Sequence, residues 1–439
     1  MSNFYKSLPY WLQNVLVTGY GYKQSRIRYH TRLPSDYFAS QKELSSTESN
    51  ECRNEALKSL LTYAVRHVPF YRKLYQGNKF SIDKIVASDL PNILPVINKK
   101  IVRDNLESFI SDEYRKKDLL AHHTSGTTGS PGTYFCTKQE RAVNFDQFRS
   151  ILLKNGCDYR DKSATFAGRM VGGNKQHQIG NIDCYNKTLY LSSYGINSRT
   201  VAHYINWLNR YQPKYIDSYP SSLYSLVVLA KEAGVKLNFS PQFIVTSSET
   251  LSPEHRLVIA DFFDTKLIDH YGSTEMVFNC WSDGSDYYHF DETYVPEFLN
   301  RTGDVAELVA TPLFLKAMPL IRYTTGDKVV VSRDGHITEF IGRMDDVLIT
   351  PSGNRIGRLD PIFKGLAGIR EAQIEQVAKD SVVIRVVKGV GFNLAEELRL
   401  IENLSARLNN EMAVNVEYIE SIKRTSNGKF KAVIGLKPS

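Results

Sequence analysis

From Glu51 to Val68 the apolar residues Ala56, Leu57, Leu60, Leu61, Ala64, Val65 and Val68 recur at three- and four-residue steps. That spacing predicts an amphipathic helix. Pro69 ends it, because proline disfavours the helical region for the residue before it. Between about Ala164 and Ser285, short apolar runs alternate with helical patterns. Lys214-Tyr215-Ile216 reads as a strand, and Ser221 to Glu232 as a helix closed by Gly234. Phe243-Ile244-Val245-Thr246 reads as a short buried strand. Ser252 then caps a helix with Pro253 at its first position, continuing from His255 to Phe263. Lys266-Leu267-Ile268 is the next strand. Strand and helix alternating at this pace predict a parallel or mixed α/β sheet. Near the C-terminus, Val382 to Val387 is rich in β-formers, and Leu394, Leu398, Ile401, Leu404 and Leu408 mark one helix face. This region reads as a separate small α/β unit. Its boundary is expected at the turn Gly342-Arg343-Met344-Asp345-Asp346.

Composition narrows the class. The chain has 439 residues, 42% hydrophobic and 23% charged, which excludes wholesale disorder. Its length suggests two or three domains at roughly 100–200 residues each, and a core that needs no disulfide or metal to hold it. The early apolar stretch from Leu8 to Val17 is broken by Gln13 and Asn14. It is far shorter than the ~20 residues that cross a bilayer, and no basic segment precedes it as in a secretory signal. The five cysteines, Cys52, Cys136, Cys157, Cys184 and Cys280, are scattered and form no C-x-x-C pair. The expectation is a reducing cytoplasm and no structural zinc. A net charge of +8 is mild for this length. The basic residues Lys99, Lys100, Arg103, Arg115, Lys116 and Lys117 are mixed with Asp104, Glu107, Asp112, Glu113 and Asp118, a solvated face rather than a nucleic-acid stripe. No nucleic-acid-binding signature is present.

Four stretches could carry chemistry. Thr124-Ser125-Gly126-Thr127-Thr128-Gly129-Ser130-Pro131-Gly132 combines glycines, which let backbone N–H groups approach an anion, with hydroxyl donors. It reads as a phosphate cradle or, equally, as a polar surface loop; it is not a Walker loop. Asp269-His270-Tyr271-Gly272-Ser273-Thr274-Glu275 follows a strand. There an aromatic ring could stack on a base and a carboxylate could hold Mg²⁺ with a substrate phosphate. A plain strand-ending turn fits as well. In Arg322-Tyr323-Thr324-Thr325-Gly326-Asp327, a carboxylate in a tight turn suits a vicinal diol, and an ordinary hairpin Asp is the alternative. Asn427-Gly428-Lys429 reads as a turn with a solvated lysine; domain docking would have to bring that lysine to a site. His122-His123 should point to opposite faces of a strand and not share a metal.

Taken in order with Gly342-Arg343-Met344-Asp345-Asp346, these stretches resemble the motif set of adenylate-forming (acyl-AMP) enzymes, from Thr124 to Lys429. A narrower resemblance, to phenylacetate–CoA ligases and CapK-like proteins of polysaccharide biosynthesis, lies in four further stretches. These are Tyr63-Ala64 with Val68-Pro69-Phe70-Tyr71-Arg72, Ser218-Tyr219-Pro220-Ser221, Met318-Pro319-Leu320-Ile321-Arg322-Tyr323, and Arg424-Thr425-Ser426-Asn427-Gly428-Lys429. Leu8-Pro9-Tyr10-Trp11-Leu12-Gln13-Asn14 favours the CapK-like side.

The resemblance implies an α/β protein with a large N-terminal adenylation domain of mixed sheets and helices (1–343) and a small mobile C-terminal α/β domain (344–439). It implies that Thr124, Ser125, Gly126, Thr127, Thr128 and Gly129 hold the β- and γ-phosphates of ATP. Ser248 and Glu249 would lie beside the adenine and Tyr271 against its face, in a nucleotide site with Gly272, Ser273 and Thr274. Glu275 would bind Mg²⁺, and Asp327 and Arg343 would hold the ribose. Asp345 would be the hinge, with Asp346 as the other choice. Lys429 would bridge the acyl carboxylate and the α-phosphate. Tyr134, Gly172, Gly173 and Tyr219 are acyl-pocket candidates by position.

The chain departs from the family pattern in places. Gly132 stands where many members carry a phosphate-binding lysine, and Ala306 replaces a usual glycine. The run from Asp345 to Gly353 is one residue longer than usual. The implied activity is an ATP-dependent ligase that activates a carboxylic acid and passes it to coenzyme A or an amine. The alternative is a catalytically silent nucleotide-binding partner in capsule or envelope assembly. Such a partner would contact the membrane peripherally through Tyr10-Trp11-Leu12 and nearby basic residues. The oligomeric state is open, a homodimer included.

Overall fold

The computed structural model describes residues 5, 8–34, 37, 46–76, 82–123, 132–167, 179–193, 195–343, 348–352, 355–356, 359, 362, 366, 368–389, 391–408, 410–425 and 430–436. The first half supplies helices α1 (Tyr10–Tyr29), α2 (Ser46–His67) and α3 (Pro69–Tyr75), then a two-stranded pair β1 (Leu120–His123) and β2 (Thr133–Cys136), and helix α4 (Lys138–Lys154). The expected helix over Glu51–Val68 thus starts earlier. Val68 is extended (φ −114°, ψ 113°), and Pro69 opens the next helix instead of only ending the previous one.

A seven-stranded sheet follows, in the order β4-β5-β3-β6-β7-β8-β9. Its strands are β3 (Ser163–Ala167), β4 (Gly180–Asp183), β5 (Thr188–Ser192), β6 (Tyr215–Ser218), β7 (Phe243–Ser247), β8 (Lys266–Gly272) and β9 (Asn279–Ser282). The central strands are parallel, and β4 and β9 close the edges antiparallel. This is the mixed sheet that the sequence pattern predicts. Helices α5 (Val201–Tyr211), α6 (Pro220–Glu232) and α7 (Pro253–Phe263) connect strands. Ser252 accepts the His255 amide and Pro253 sits in the first turn, as expected.

The sheet is covered on both faces, as parallel strands require. Ala164, Phe166, Leu189, Leu191, Ile216 and Ile244 pack with residues of α5, α6 and α7. Tyr215, Phe243, Val245 and Ile268 pack with Ile151 and Leu152 of α4. Helix α1 lies along β4. The Asn14 side-chain oxygen accepts the Ile182 amide (3.2 Å), and Thr18 Oγ1 accepts the Cys184 amide (3.0 Å). Gly21 is required there, since a Cβ would stand 1.8 Å from the Asp183 carboxylate.

Next comes an antiparallel sheet of β10 (Tyr294–Thr302), β11 (Val305–Pro312), β12 (Tyr323–Val331) and β13 (Ile337–Arg343). Arg322, buried and at φ +54°, anchors its entry. Its Nε lies 3.0 Å from both Glu297 carboxylate oxygens, and its NH1 donates to the Leu94 carbonyl.

The C-terminal part has the pair β14 (Leu348–Ile349) and β15 (Arg355–Ile356). It also has a sheet of β16 (Ile369–Ala378), β17 (Ser381–Lys388), β18 (Ala413–Tyr418) and β19 (Val433–Ile434), ordered β18-β17-β16-β19, and helix α8 (Leu394–Arg407). It packs its own core, with Leu348, Ile374, Val382, Ile384, Val386, Leu400, Leu404 and Leu408 among the members. One expectation is corrected here: Leu394 and Leu398 are exposed, and the buried face runs through Leu400, Leu404 and Leu408. Spacing fixes a stripe, but the sheet selects its edge.

Candidate active site

Parallel strands β7 and β8 end side by side, and the chain beyond each turns into one cavity of about 800 Å³. Open α/β sheets bind ligands at such carboxyl ends. Ser248, Glu249, Tyr271, Gly272, Ser273, Thr274, Glu275 and Asp327 all line this cavity, although they come from three separated stretches of sequence. The C-terminal part forms its other wall, with Arg370, Glu371, Thr425, Phe430 and Lys431.

Ser248 follows β7 at φ +71°, the left-handed region, which turns the chain sharply into the cavity. The Glu249 carboxylate is held by two backbone amides. It accepts from Ser221 at 3.1 Å, in the first turn of α6, and from Phe430 at 2.6 Å, immediately after Lys429. Burial raises its carboxyl pKa, and the two amides oppose the rise. Glu249 therefore joins the two walls of the cavity.

The second stretch corrects a boundary. Asp269 to Gly272 do not follow the strand; they are its end, paired antiparallel with Asn279 to Ser282. The Asp269 carboxylate accepts from Tyr288 and Thr246, and burial raises its pKa. His270 faces Asn279 (3.1 Å), and burial lowers its pKa to about 4. The Tyr271 ring stacks on Phe340 at 4.0 Å between centroids, with planes 14° apart. Its hydroxyl donates to Asp327 at 2.5 Å. Burial, then the Asp327 charge, raises the Tyr271 phenol pKa well above its ordinary value.

Asp327 is not in a hairpin turn either. It lies within β12, where Gly326 takes φ +77° and the register with β11 shifts. The irregularity turns Asp327 toward Tyr271, and the β12–β13 register sets it opposite Arg343.

Glu275 lines the cavity, close enough to Tyr134 that its charge adds to burial in raising that phenol. Tyr134 itself is buried and is not a lining residue; its hydroxyl lies 2.8 Å from that of Tyr323, which is. Tyr219 is likewise not a lining residue, while Ser221 and Tyr224 of the same segment are. Thr124, Ser125, Gly126, Thr127, Thr128, Gly129, Gly172, Gly173, Asp345, Asp346 and Lys429 lie outside the described residues.

Sequence reasoning missed Phe340, His255, Arg370 and Glu371 as cavity residues. His255 stacks on Tyr224 at 4.1 Å, and burial lowers its pKa to about 4. Glu371 accepts from Ser225 of α6 (2.8 Å) and pairs with Arg424, and Arg370 pairs with Glu232 at 2.6 Å. Only tertiary contact gives these residues meaning. The two histidines at 122 and 123 do point to opposite faces. His122 meets Cys136 (3.1 Å) and His123 meets Thr133 (3.1 Å).

Among the described residues no group of three or more His, Cys, Asp or Glu could hold a metal. The donor set suits an ion that keeps its waters and shares substrate phosphates, as Mg²⁺ does with one or two carboxylates. The cavity volume lies within the 300–1,000 Å³ usual for small-molecule sites.

Comparison with known proteins agrees with the fold. Residues 348–435 match the CapK C-terminal domain family. The chain is 24% identical to Protein CapK of Staphylococcus aureus, covering 99% of each. It is 26% identical to a phenylacetate-coenzyme A ligase of Thermus thermophilus over 323 residues, 68% of this chain and 71% of that one. A crystal structure of 2-hydroxyisobutyryl-CoA ligase in the postadenylation state, with R3-HIB-AMP, superposes with a TM-score of 0.66 at 18% identity. It covers 93% of this chain and 94% of that one.

Proposed function

We propose, from an adenylate-forming fold of the CapK-like and phenylacetate–CoA ligase branch, that this chain is an ATP-dependent ligase activating a carboxylic acid as its acyl-AMP. The observation that carries the reading is the convergence of Ser248–Glu249, Tyr271–Glu275 and Asp327 on one cavity at the ends of β7 and β8.

The chemistry assigns work to each group. A carboxylate oxygen of the acid attacks the α-phosphorus, the bond from that phosphorus to the bridging oxygen breaks, and pyrophosphate leaves. Both reactants are anions, so positive charge is needed at the reacting centre. Lys429 supplies it, one residue before the Phe430 amide that Glu249 holds against the cavity. The loop from Thr124 to Gly129 receives the leaving phosphates through its backbone N–H groups. The adenine stacks beside Tyr271, whose ring is fixed by Phe340. The ribose shares the Asp327 carboxylate with the Tyr271 hydroxyl, and Arg343 on the neighbouring strand completes that side. Glu275 would hold Mg²⁺, which would neutralise charge on the phosphates.

Residues 344–439 act as a lid pivoting near Asp345 or Asp346, so that closure gates the first half-reaction. In the second, a thiol or amine attacks the acyl carbonyl and AMP leaves. Coenzyme A is the first acceptor to test, because the named relatives above include acid–CoA ligases.

ATP–pyrophosphate exchange over aryl, fatty, hydroxy and amino acids, with and without coenzyme A, tests the reading. Acid-dependent exchange is expected, and Lys429→Ala should abolish it while leaving ATP binding largely intact. Full exchange by that variant would refute the lysine's role. ATP binding with no exchange across the panel would bring forward the silent partner protein.

A further inference from the structure

Helix α1 is built inside out. Its fully buried positions are polar or small, Gln13, Gly21 and Ser25, with the Tyr10 and Tyr29 rings turned inward at its two ends. Gln13, Asn14 and Thr18 are fixed by hydrogen bonds to Leu8, Ile182 and Cys184. Its outward positions carry large apolar side chains, with Trp11 67% exposed, Val15 57%, Leu16 48%, Tyr20 56% and Tyr22 49%. A helix that packs only against its own sheet shows the reverse pattern. Contiguous exposed apolar surface of this kind marks an interaction face.

The charge on the same helix selects the occupant. Tyr10–Tyr29 contains no Asp or Glu, and Lys23, Arg26 and Arg28 occupy its last two turns, with Arg32 just beyond. Lys23 and Arg26 are exposed and form no ion pair with a described residue. Tyr22 packs edge-on against Tyr185 at 5.0 Å, and Arg160 lies over the Tyr185 ring at 5.0 Å, which adds a cation to the rim. Exposed Trp and Tyr beside aliphatic residues, bordered by unneutralised cations, match the interface of a bilayer with anionic headgroups. No described helix is long and apolar enough to cross a membrane, so the helix would lie on the surface. Tyr10 is not part of this face: its ring packs edge-on against Trp207.

We infer that α1 is a surface anchor, which docks the chain on an anionic lipid membrane through Trp11, Val15, Leu16 and Tyr20 with Lys23 and Arg26 on the headgroups. The inference is independent of the adenylation reading. It follows that the whole protein distributes between water and membrane according to lipid charge and salt.

The test is flotation of the full chain with vesicles of phosphatidylcholine alone, or mixed with phosphatidylglycerol. Co-flotation is expected with the mixed vesicles and should fall at high salt. Trp11 fluorescence should shift to the blue on binding. Lys23→Gln with Arg26→Gln should weaken binding roughly thirtyfold, at about fivefold per cation near such a surface. Trp11→Ser with Leu16→Ser should weaken it at least about tenfold. All four side chains point outward, so circular dichroism and melting should stay unchanged and confirm that the variants fold. Absence of flotation, or flotation unchanged in both variants, would overturn the proposal. So would a dimer in sedimentation velocity that Trp11→Ser dissociates, since the face would then join two copies of the chain.

Discussion

Replacing Glu249 with glutamine isolates the contact that joins the two walls of the cavity. The native carboxylate accepts the Phe430 amide at 2.6 Å and the Ser221 amide at 3.1 Å. Hydrogen bonds to a charged group contribute about 1.5–3 kcal/mol each, against about 1 kcal/mol for a neutral one. Glutamine offers a single neutral acceptor, so it can keep one of the two bonds in weakened form. The expected loss is at least about 2 kcal/mol, or roughly a 30-fold or greater shift toward separation of the C-terminal segment. Amide hydrogen exchange reads this directly. Exchange at Phe430 should accelerate by one to two orders of magnitude, while amides in the centre of β7 stay protected. In the proposed ligase, acid-dependent pyrophosphate exchange should fall and ATP affinity should hold. Unchanged or slower Phe430 exchange, together with lost ATP affinity, would refute the reasoning and return Glu249 to the adenine.

Arg322→Ala should destabilise the chain by about 3–5 kcal/mol, because it leaves the buried Glu297 carboxylate uncompensated; a denaturant midpoint within error of the parent would refute this. His255 and His270 give a pH dependence. Burial lowers both pKa values to about 4 from an unfolded value of 6.5, so the unfolded chain binds the extra protons. Their stabilising contribution is complete above pH 6.5 and is lost as pH falls through the window down to about 4, by about 3 kcal/mol for each. Urea titrations across that window should show the midpoint falling with pH, and a flat midpoint would refute the burial argument.

The parallel strands β6, β7 and β8 were legible because each is a short apolar run bounded by turn residues, whereas β3 and β5 were not singled out. Phe243–Ser247, with Ser252 and Pro253 after it, needs no partner to be read. The limits of β8 and the setting of Asp327 were not legible, because both depend on a neighbour. Asp269 and His270 become strand by pairing with both β7 and β9, Tyr271 and Gly272 by pairing with β9, and Asp327 turns inward where Gly326 breaks the register with β11. Motif order picked out the cavity residues Ser248, Glu249, Tyr271 and Glu275. It could not assign the Glu249 carboxylate to backbone amides, since Ser221 and Phe430 lie 28 and 181 residues away. The same holds for Leu398, whose spacing fits the helix stripe but which is exposed.

Among the described residues, ion pairs and polar bonds join the C-terminal part to α6 and the β7 end: Arg370 with Glu232, Glu371 with Ser225, and Glu249 with the Phe430 amide. An apolar seam would make separation carry a large heat-capacity change and leave it indifferent to electrolyte. A seam of this kind does the opposite. Its opening should have a small heat-capacity signature and a strong dependence on ionic strength, so that the solution, as well as the ligand, sets how often the cavity is open.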